Sequence, residues 1–314
     1  MREVAALAAE SEAHGFGAIW VADSQSIFRD AYQALALAAA QTERITLATG
    51  VTNPVTRHLA VIAGSIATLA ELSGGRAVLG IGVGESAVRT IGRKPARLAE
   101  LEQATHALRA LLAGEPARVD GVEIRQSWSG GSAPIFFAAS GPRALELAGR
   151  IADGVLFQVG SDVDLVRYAL EHVEAGERAA GREPGSVTRI VRLGSSVAHD
   201  RNRARDEARG YVAAAAGTVY WAVPRDRLPE GLHDDLARMK ERYDYARHTS
   251  GDAEHAALIT DRIIDAISIS GTPEEAVPRY RELLALGVDA FCVPVRRDAS
   301  ATLRTFAEEV VARV

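Results

Sequence analysis

Two carboxylates follow directly on short apolar runs in this chain: Asp23, after the run at 18–22, and Glu85, a few residues past the run at 77–81. A carboxylate at the carboxyl end of a buried strand can exchange a proton with a bound molecule, or orient a ring by accepting a hydrogen bond; an exposed loop charge is the plainer alternative. Small and polar residues also follow the other runs, as Gly50-Val51-Thr52-Asn53, Gly82-Val83-Gly84-Glu85-Ser86, Ala139-Ser140-Gly141 and Gln158-Val159-Gly160-Ser161. Gly82 and Gly84 resemble a phosphate-binding pair but lack the third glycine of the dinucleotide fingerprint, and they serve equally well as a tight turn. Ser140-Gly141-Pro142 opens a helix, where free N–H groups and the helix dipole suit a phosphate; a simple cap with proline at the first turn is the alternative. His58 is expected to cap the helix that follows it. The histidines show no HExxH spacing and there is no GxSxG elbow, so neither a metal site nor a serine nucleophile is expected.

The elements that must position these residues alternate. An amphipathic helix over 2–14 stops at Gly15 and Gly17, and strand 18–22 follows. Helix 31–41 leads to strand 45–49, and helix 59–72 leads to strand 77–81. Helix 98–112 precedes a polar excursion over 114–133, with room for a short hairpin, and then strand 134–138. Helix 143–151, strand 154–157, helix 165–176 and one long strand over 187–198 come next. From 201 to about 269 there are several helical stretches and no strand, much longer than one barrel helix requires. Thr272, Pro273 and Glu275 then form an N-cap, first-turn proline and capping-box partner for a helix ended by Gly287, and strand 289–295 closes the series.

Alternating strands and helices imply an α/β fold with a parallel sheet, and the position of every candidate residue after a strand suits a (β/α)8 TIM-type barrel with its site at the carboxyl face. The expected organisation is a single barrel domain over 1–314 with a helical insertion over 201–269 after the seventh strand. Seven strands are counted and each follows a helix, so the first strand of an eight-stranded barrel is expected to be missing from the N-terminus. Lys and Arg number 36 against 41 Asp and Glu, a formal charge of −5 that gives no field for nucleic acid. The single cysteine, Cys292, excludes an internal disulfide and is expected to be a small buried residue of the last strand. No apolar run reaches membrane-spanning length and no basic leader is present, which points to the cytoplasm.

Two stretches carry a family resemblance: Thr49-Gly50-Val51-Thr52-Asn53-Pro54 through His58, and 67–86 with its Leu72-Ser73-Gly74-Gly75-Arg76 turn. With 138–154, Gly271-Thr272-Pro273-Glu274-Glu275 and Leu286-Gly287-Val288-Asp289, they make the chain similar to the luciferase-like superfamily, over everything but 201–269. It resembles most the F420-dependent branch typified by methylenetetrahydromethanopterin reductase.

The resemblance implies a flavin or deazaflavin ring at the carboxyl face, with Asp23 against the ring and a non-prolyl cis peptide at Gly50–Val51. It places the cofactor phosphate at Ala139, Ser140 and Gly141, and Gly50, Val51, Thr52, Gly82, Gly84 and Gln158 around the cofactor. Glu85 matches an acidic position near substrate, which makes it, with Asp23, the candidate catalytic pair. Ser24 stands where some F420-dependent dehydrogenases have histidine. The implied activity is hydride transfer between C5 of F420 and a small organic substrate in a homodimer. The alternatives are a two-component FMN monooxygenase and a barrel that has lost its cofactor and serves binding or assembly. The stretch 211–244, with Tyr220 and Trp221, is expected either to form a lid or simply to pack as helices.

Overall fold

Short β-branched and aromatic runs between alanine-rich helices produce the alternation that the spacing predicts. A computed structural model describes residues 2–128, 131–243, 254–295 and 299–314, which fall into two compact units.

The first unit comprises residues 1–138 and 151–153. It contains α1 (Arg2–Ala13), β1 (Ala18–Val21), α2 (Ala31–Ala39), β2 (Thr46–Thr49), α3 (Leu59–Leu72), β3 (Ala77–Ile81), the short α4 (Ser86–Arg89), α5 (Leu98–Leu112), β4 (Ala117–Val119), β5 (Val122–Ile124) and β6 (Ile135–Ala139). Strands β1, β2, β3 and β6 pair side by side and all parallel, in registers that set Trp20 beside Ala48, Leu47 beside Ala77 and Gly80 beside Phe136. β3 is buried along its whole length, as a strand covered on both faces must be. The hairpin expected within 114–133 is the antiparallel pair β4–β5. As expected, His58 caps α3, its Nδ1 accepting from the Ala60 N–H at 3.2 Å.

Glu12 ties α1 to the start of β2. Its carboxylate accepts from the backbone N–H groups of Glu43, Arg44 and Ile45, the last two at 2.6 and 2.7 Å. These bonds, that from Ile45 foremost, hold its pKa down at about 2, against an ordinary 4.5. A depressed carboxyl stabilises the fold above its unfolded pKa and stops doing so as pH falls through the folded one. Replacing Glu12 with Gln should therefore lower the urea midpoint at neutral pH, and the deficit relative to the parent should close between pH 4.5 and about 2. A deficit independent of pH would show that the bonds do not depend on the charge.

The second unit comprises residues 139–150 and 154–314. It holds α6 (Pro142–Ile151), β7 (Gly154–Phe157), α7 (Val163–Ala179), β8 (Thr188–Arg192), β9 (Gly194–Val197), α8 (Arg201–Ala222), α9 (Leu232–Glu241), α10 (Glu254–Ala257), α11 (Asp261–Ile267), β10 (Ser268–Gly271), α12 (Pro273–Ala285), β11 (Ala290–Cys292) and α13 (Ala299–Glu309). β7, β8 and β11 pair in parallel, with Leu156 beside Ile190 and Arg192 beside Cys292.

Two expectations are corrected here. The long strand over 187–198 is two strands, broken at Leu193, and the second half pairs with β10 rather than with β11. The segment 201–269 is not without a strand either, since β10 begins inside it at Ser268, in parallel register with β9. The run Ser268-Ile269-Ser270 is short, and the helix ahead of it, α11, hides its start. The alanine tract of α8 buries Val212, Ala213, Ala215, Ala216 and Val219, and the helix packs on β9 and β10. Small side chains let its backbone approach that pair closely. Asp244, the end of the stretch expected to form a lid, lies outside the described residues. Thr272 caps α12 with the reciprocal Glu275 bond, as expected.

Candidate active site

Asp23 stands two residues past the end of β1 and is 3% exposed. Its carboxylate accepts from Thr52 Oγ1 at 2.7 Å and from Arg57 Nε and Nη2, each at 3.0 Å. Arg57 comes from the segment between β2 and α3, and the same guanidinium reaches Asp30 at 2.7 Å. Asp30 is itself fixed as the N-cap of α2, accepting from the Gln33 N–H at 2.9 Å. The Tyr32 ring lies under the guanidinium, 5.0 Å from its carbon. The hydrogen bond to Asp23, reinforced by Asp30, pushes the Arg57 pKa above its ordinary value in spite of partial burial. For Asp30 burial acts upward, but the Arg57 and Gln33 hydrogen bonds outweigh it and the pKa falls. Burial, with the nearby Asp23 charge, pushes the Tyr32 phenol up. A carboxylate offers about four lone-pair positions, so three donors leave Asp23 one with which to orient a bound group.

The peptide between Gly50 and Val51 is cis, at the bond the motif indicated. Beyond it Thr52 bridges back to Ile81, with Thr52 N–H donating to Gly80 O at 2.9 Å and Gly82 N–H to Thr52 O at 3.0 Å. No side chain fits at two positions here: a Cβ on Gly50 would meet Trp20 Cβ at 2.9 Å, and one on Gly80 would meet Thr49 O at 2.1 Å. Asn53 is buried, and its Oδ1 accepts from the N–H groups of Val55 and Thr56 at 3.0 and 2.9 Å. That fixes the amide orientation and leaves Nδ2 buried with no hydrogen-bond partner among the described residues. Gly84 has φ +83° and packs on Asn53, while Ser24 and Ser86 hydroxyls meet at 3.1 Å. Glu85 is placed differently from Asp23. It occupies the N-cap of α4 with its side chain 57% exposed and held by Arg89 Nε at 2.6 Å.

In the second unit, Ser140 Oγ accepts from Gln158 N–H at 3.3 Å, joining the turn before α6 to the end of β7. Gly141 O accepts the first helical N–H groups of α6, and a Cβ on Gly141 would lie 3.9 Å from Ala222 O at the end of α8. Gln158 Oε1 in turn accepts from Arg192 Nη1 at 3.2 Å, and the Arg192 guanidinium lies 5.7 Å from the centre of the Tyr211 ring. Cys292, expected to be buried, is partly exposed opposite Arg192. Among the described residues no group of three or more His, Cys, Asp or Glu side chains is arranged to hold a metal ion, and no helix is long and apolar enough to cross a membrane.

Sequence reasoning missed Arg57 and Arg192. Nothing in the spacing links Arg57 to a carboxylate 34 residues earlier. Arg192 was hidden inside a strand read as continuous, and the available signal was Gly194, since a glycine in a strand interior marks a break or bulge.

The model of the luciferase-like monooxygenase family matches residues 1–290, and the chain belongs to that family. It is 33% identical to the 5,10-methylenetetrahydromethanopterin reductase of Methanolobus tindarius over 321 residues, covering 98% of this chain and 95% of that one. It is also 33% identical, over 255 residues, to the F420-dependent glucose-6-phosphate dehydrogenase of Nakamurella multipartita, covering 74% and 75% of the two chains. The solved coenzyme F420-dependent tetrahydromethanopterin reductase of Methanopyrus kandleri superposes with a TM-score of 0.81 at 26% identity, over 99% of this chain and 95% of that one. The fold is the parallel α/β barrel of that family.

Proposed function

We propose that this protein is an F420-dependent oxidoreductase that passes a hydride between the deazaflavin and a small organic substrate. The observation that carries the reading is the buried Asp23 carboxylate at the end of β1, fixed from two sides by Thr52 and Arg57. The likeness to two kinds of F420-dependent enzyme supports it.

The residues present fit the cofactor. Gly82 and Gly84 give a wall without side chains, and the buried Nδ2 of Asn53 is a donor that lacks an acceptor among the described residues. Asp23, Gly50, Val51, Thr52, Gly82 and Gly84 would hold the ring. Ala139, Ser140 and Gly141, at the start of α6, with Gln158 beside Ser140, would hold the phosphate by free N–H groups and hydroxyl. When bound, F420 supplies hydride exchange at its C5. Asp23 orients through its remaining lone pair and keeps its position because Arg57 is itself anchored to Asp30. Glu85, exposed and close to solvent, is the group that exchanges a proton with water.

The test is a parallel titration of the protein with F420 and FMN, oxidised and reduced, followed by absorbance. Tight binding of F420 alone is the expected result. Selective FMN binding would move the assignment to a monooxygenase, and binding of neither would leave a barrel with a binding or assembly role. Asp23→Asn should lower turnover by about 10²-fold or more, and Glu85→Gln by less, because its carboxylate is open to water that can substitute for it.

A further inference from the structure

Three arginines with half-buried or buried side chains are each matched by two carboxylates: Arg57 by Asp23 and Asp30, Arg189 by Glu174 and Glu177, Arg205 by Asp261 and Asp265. Arg192 is placed differently. It lies three residues beyond Arg189 on β8, hence on the opposite face of the strand, and among the described residues it has no carboxylate partner. Its neighbours are the Gln158 amide oxygen, the Tyr211 ring and Cys292, and all are neutral. Burial pushes both the Tyr211 phenol and the Cys292 thiol up, so neither supplies a negative charge at physiological pH.

The position is built rather than incidental. Gly194 opens β9 without a side chain, and a Cβ there would lie 3.0 Å from Tyr211 Cδ1, so the glycine is what lets the ring sit over the guanidinium. Gln158 holds one Nη, and among the described residues the remaining N–H groups of the exposed guanidinium have no acceptor. β8 ends at Arg192, and the carboxyl ends of the strands are where a parallel α/β barrel binds its ligands. The same Gln158 joins it to Ser140 and the start of α6.

We infer that Arg192, shelved on Tyr211 and steered by Gln158, is an anion subsite that takes a carboxylate or phosphate group of a ligand bound at the carboxyl end of β8. The anion belongs either to the acidic tail of the cofactor or to the substrate. The proposal rests on the cofactor reading above for its place in catalysis, but not for the existence of the subsite. Tyr211 is a positioning residue, since its hydroxyl is enclosed and only its ring meets the guanidinium.

The experiment compares the full-length protein with Arg192→Met and Arg192→Lys by calorimetric titration with inorganic phosphate, with F420 and with the deazaflavin chromophore that lacks the phosphate and glutamate tail. An exposed side chain at this position leaves the thermal midpoint unchanged, which separates loss of the subsite from loss of fold. Loss of one charge-assisted contact should weaken the affected ligand about ten- to a hundredfold in Arg192→Met. Arg192→Lys should fall between, because lysine keeps the charge and loses the fork. Weaker F420 binding with unchanged binding of the tail-less chromophore assigns the anion to the cofactor. Unchanged F420 binding with weaker phosphate binding assigns it to the substrate. Equal affinity of the parent and Arg192→Met for both phosphate and F420 overturns the subsite. If the parent binds no F420 at all, it is the cofactor reading that fails, and the phosphate titration still decides the subsite.

Discussion

Arg57→Met should be among the most damaging single substitutions in the first unit, lowering stability by about 3–5 kcal/mol, because it strands a buried carboxylate that two guanidinium nitrogens now satisfy. Thr52 alone would remain to Asp23. Asp23→Asn should cost less, on the order of 1–2 kcal/mol, since Arg57 keeps Asp30 and some contact with solvent, and an asparagine oxygen can still accept from Thr52. The double variant should be more stable than the sum of the two losses implies, because neither partner is then left charged and alone. Urea midpoints of the four proteins test this. Additive losses would show that Asp23 and Arg57 are not coupled in the way their geometry requires. Activity separates from stability in the same set: Asp23→Asn should remain folded and lose turnover.

Gly80→Ala should be the second large effect. The added methyl carbon would sit 2.1 Å from Thr49 O and 3.0 Å from both Trp20 Cζ3 and Val51 Cγ1. Thr49 O is backbone of the neighbouring strand, so relief requires β2 and β3 to part at the end of β2. Overpacking of this kind costs about 3 kcal/mol or more. Gly82→Ala, two residues on, meets Ala138 Cβ at 3.3 Å and should be far milder for the fold, with its effect falling on cofactor affinity instead. Circular dichroism melts of the two variants distinguish the cases, and equal midpoints would refute the steric account.

The alternation of strands and helices was legible where a strand is an uninterrupted apolar run buried along its length, as β3 and β7 are, and where a helix such as α3 repeats alanine and leucine. Asp23 and the Ser140-Gly141 turn were legible for the same reason, as the first polar residues after such runs. What the sequence did not reveal depends on contacts distant along the chain. Arg57 finds Asp23 only because β1 and β2 are neighbours in the sheet, which brings the segments that follow them together. Glu85 follows the right strand, yet its side chain is held outward by Arg89, one turn on in α4, a helix of a single turn that no periodicity could announce. β10 escaped notice because four residues between two helices carry no alternation to detect.

The parallel pairing of β9 with β10 also shapes how this chain can change between lineages. Val197 is set beside Gly271 and Gly194 beside Ser268, so the polypeptide leaves the sheet and rejoins it at one place. α8 and α11, which pack on that pair and on each other, are committed to covering it. Between Ala222 and Asp261, α9 packs on α8 and α11, and α10 on α8 and α9, so the described part of this stretch covers helices. Closing a longer or shorter excursion there changes the entropy slowly, by about 0.6 kcal/mol for each doubling of length. A change of length in the connections of that stretch therefore leaves the register of β9 and β10 untouched, provided α9 and α10 keep their packing.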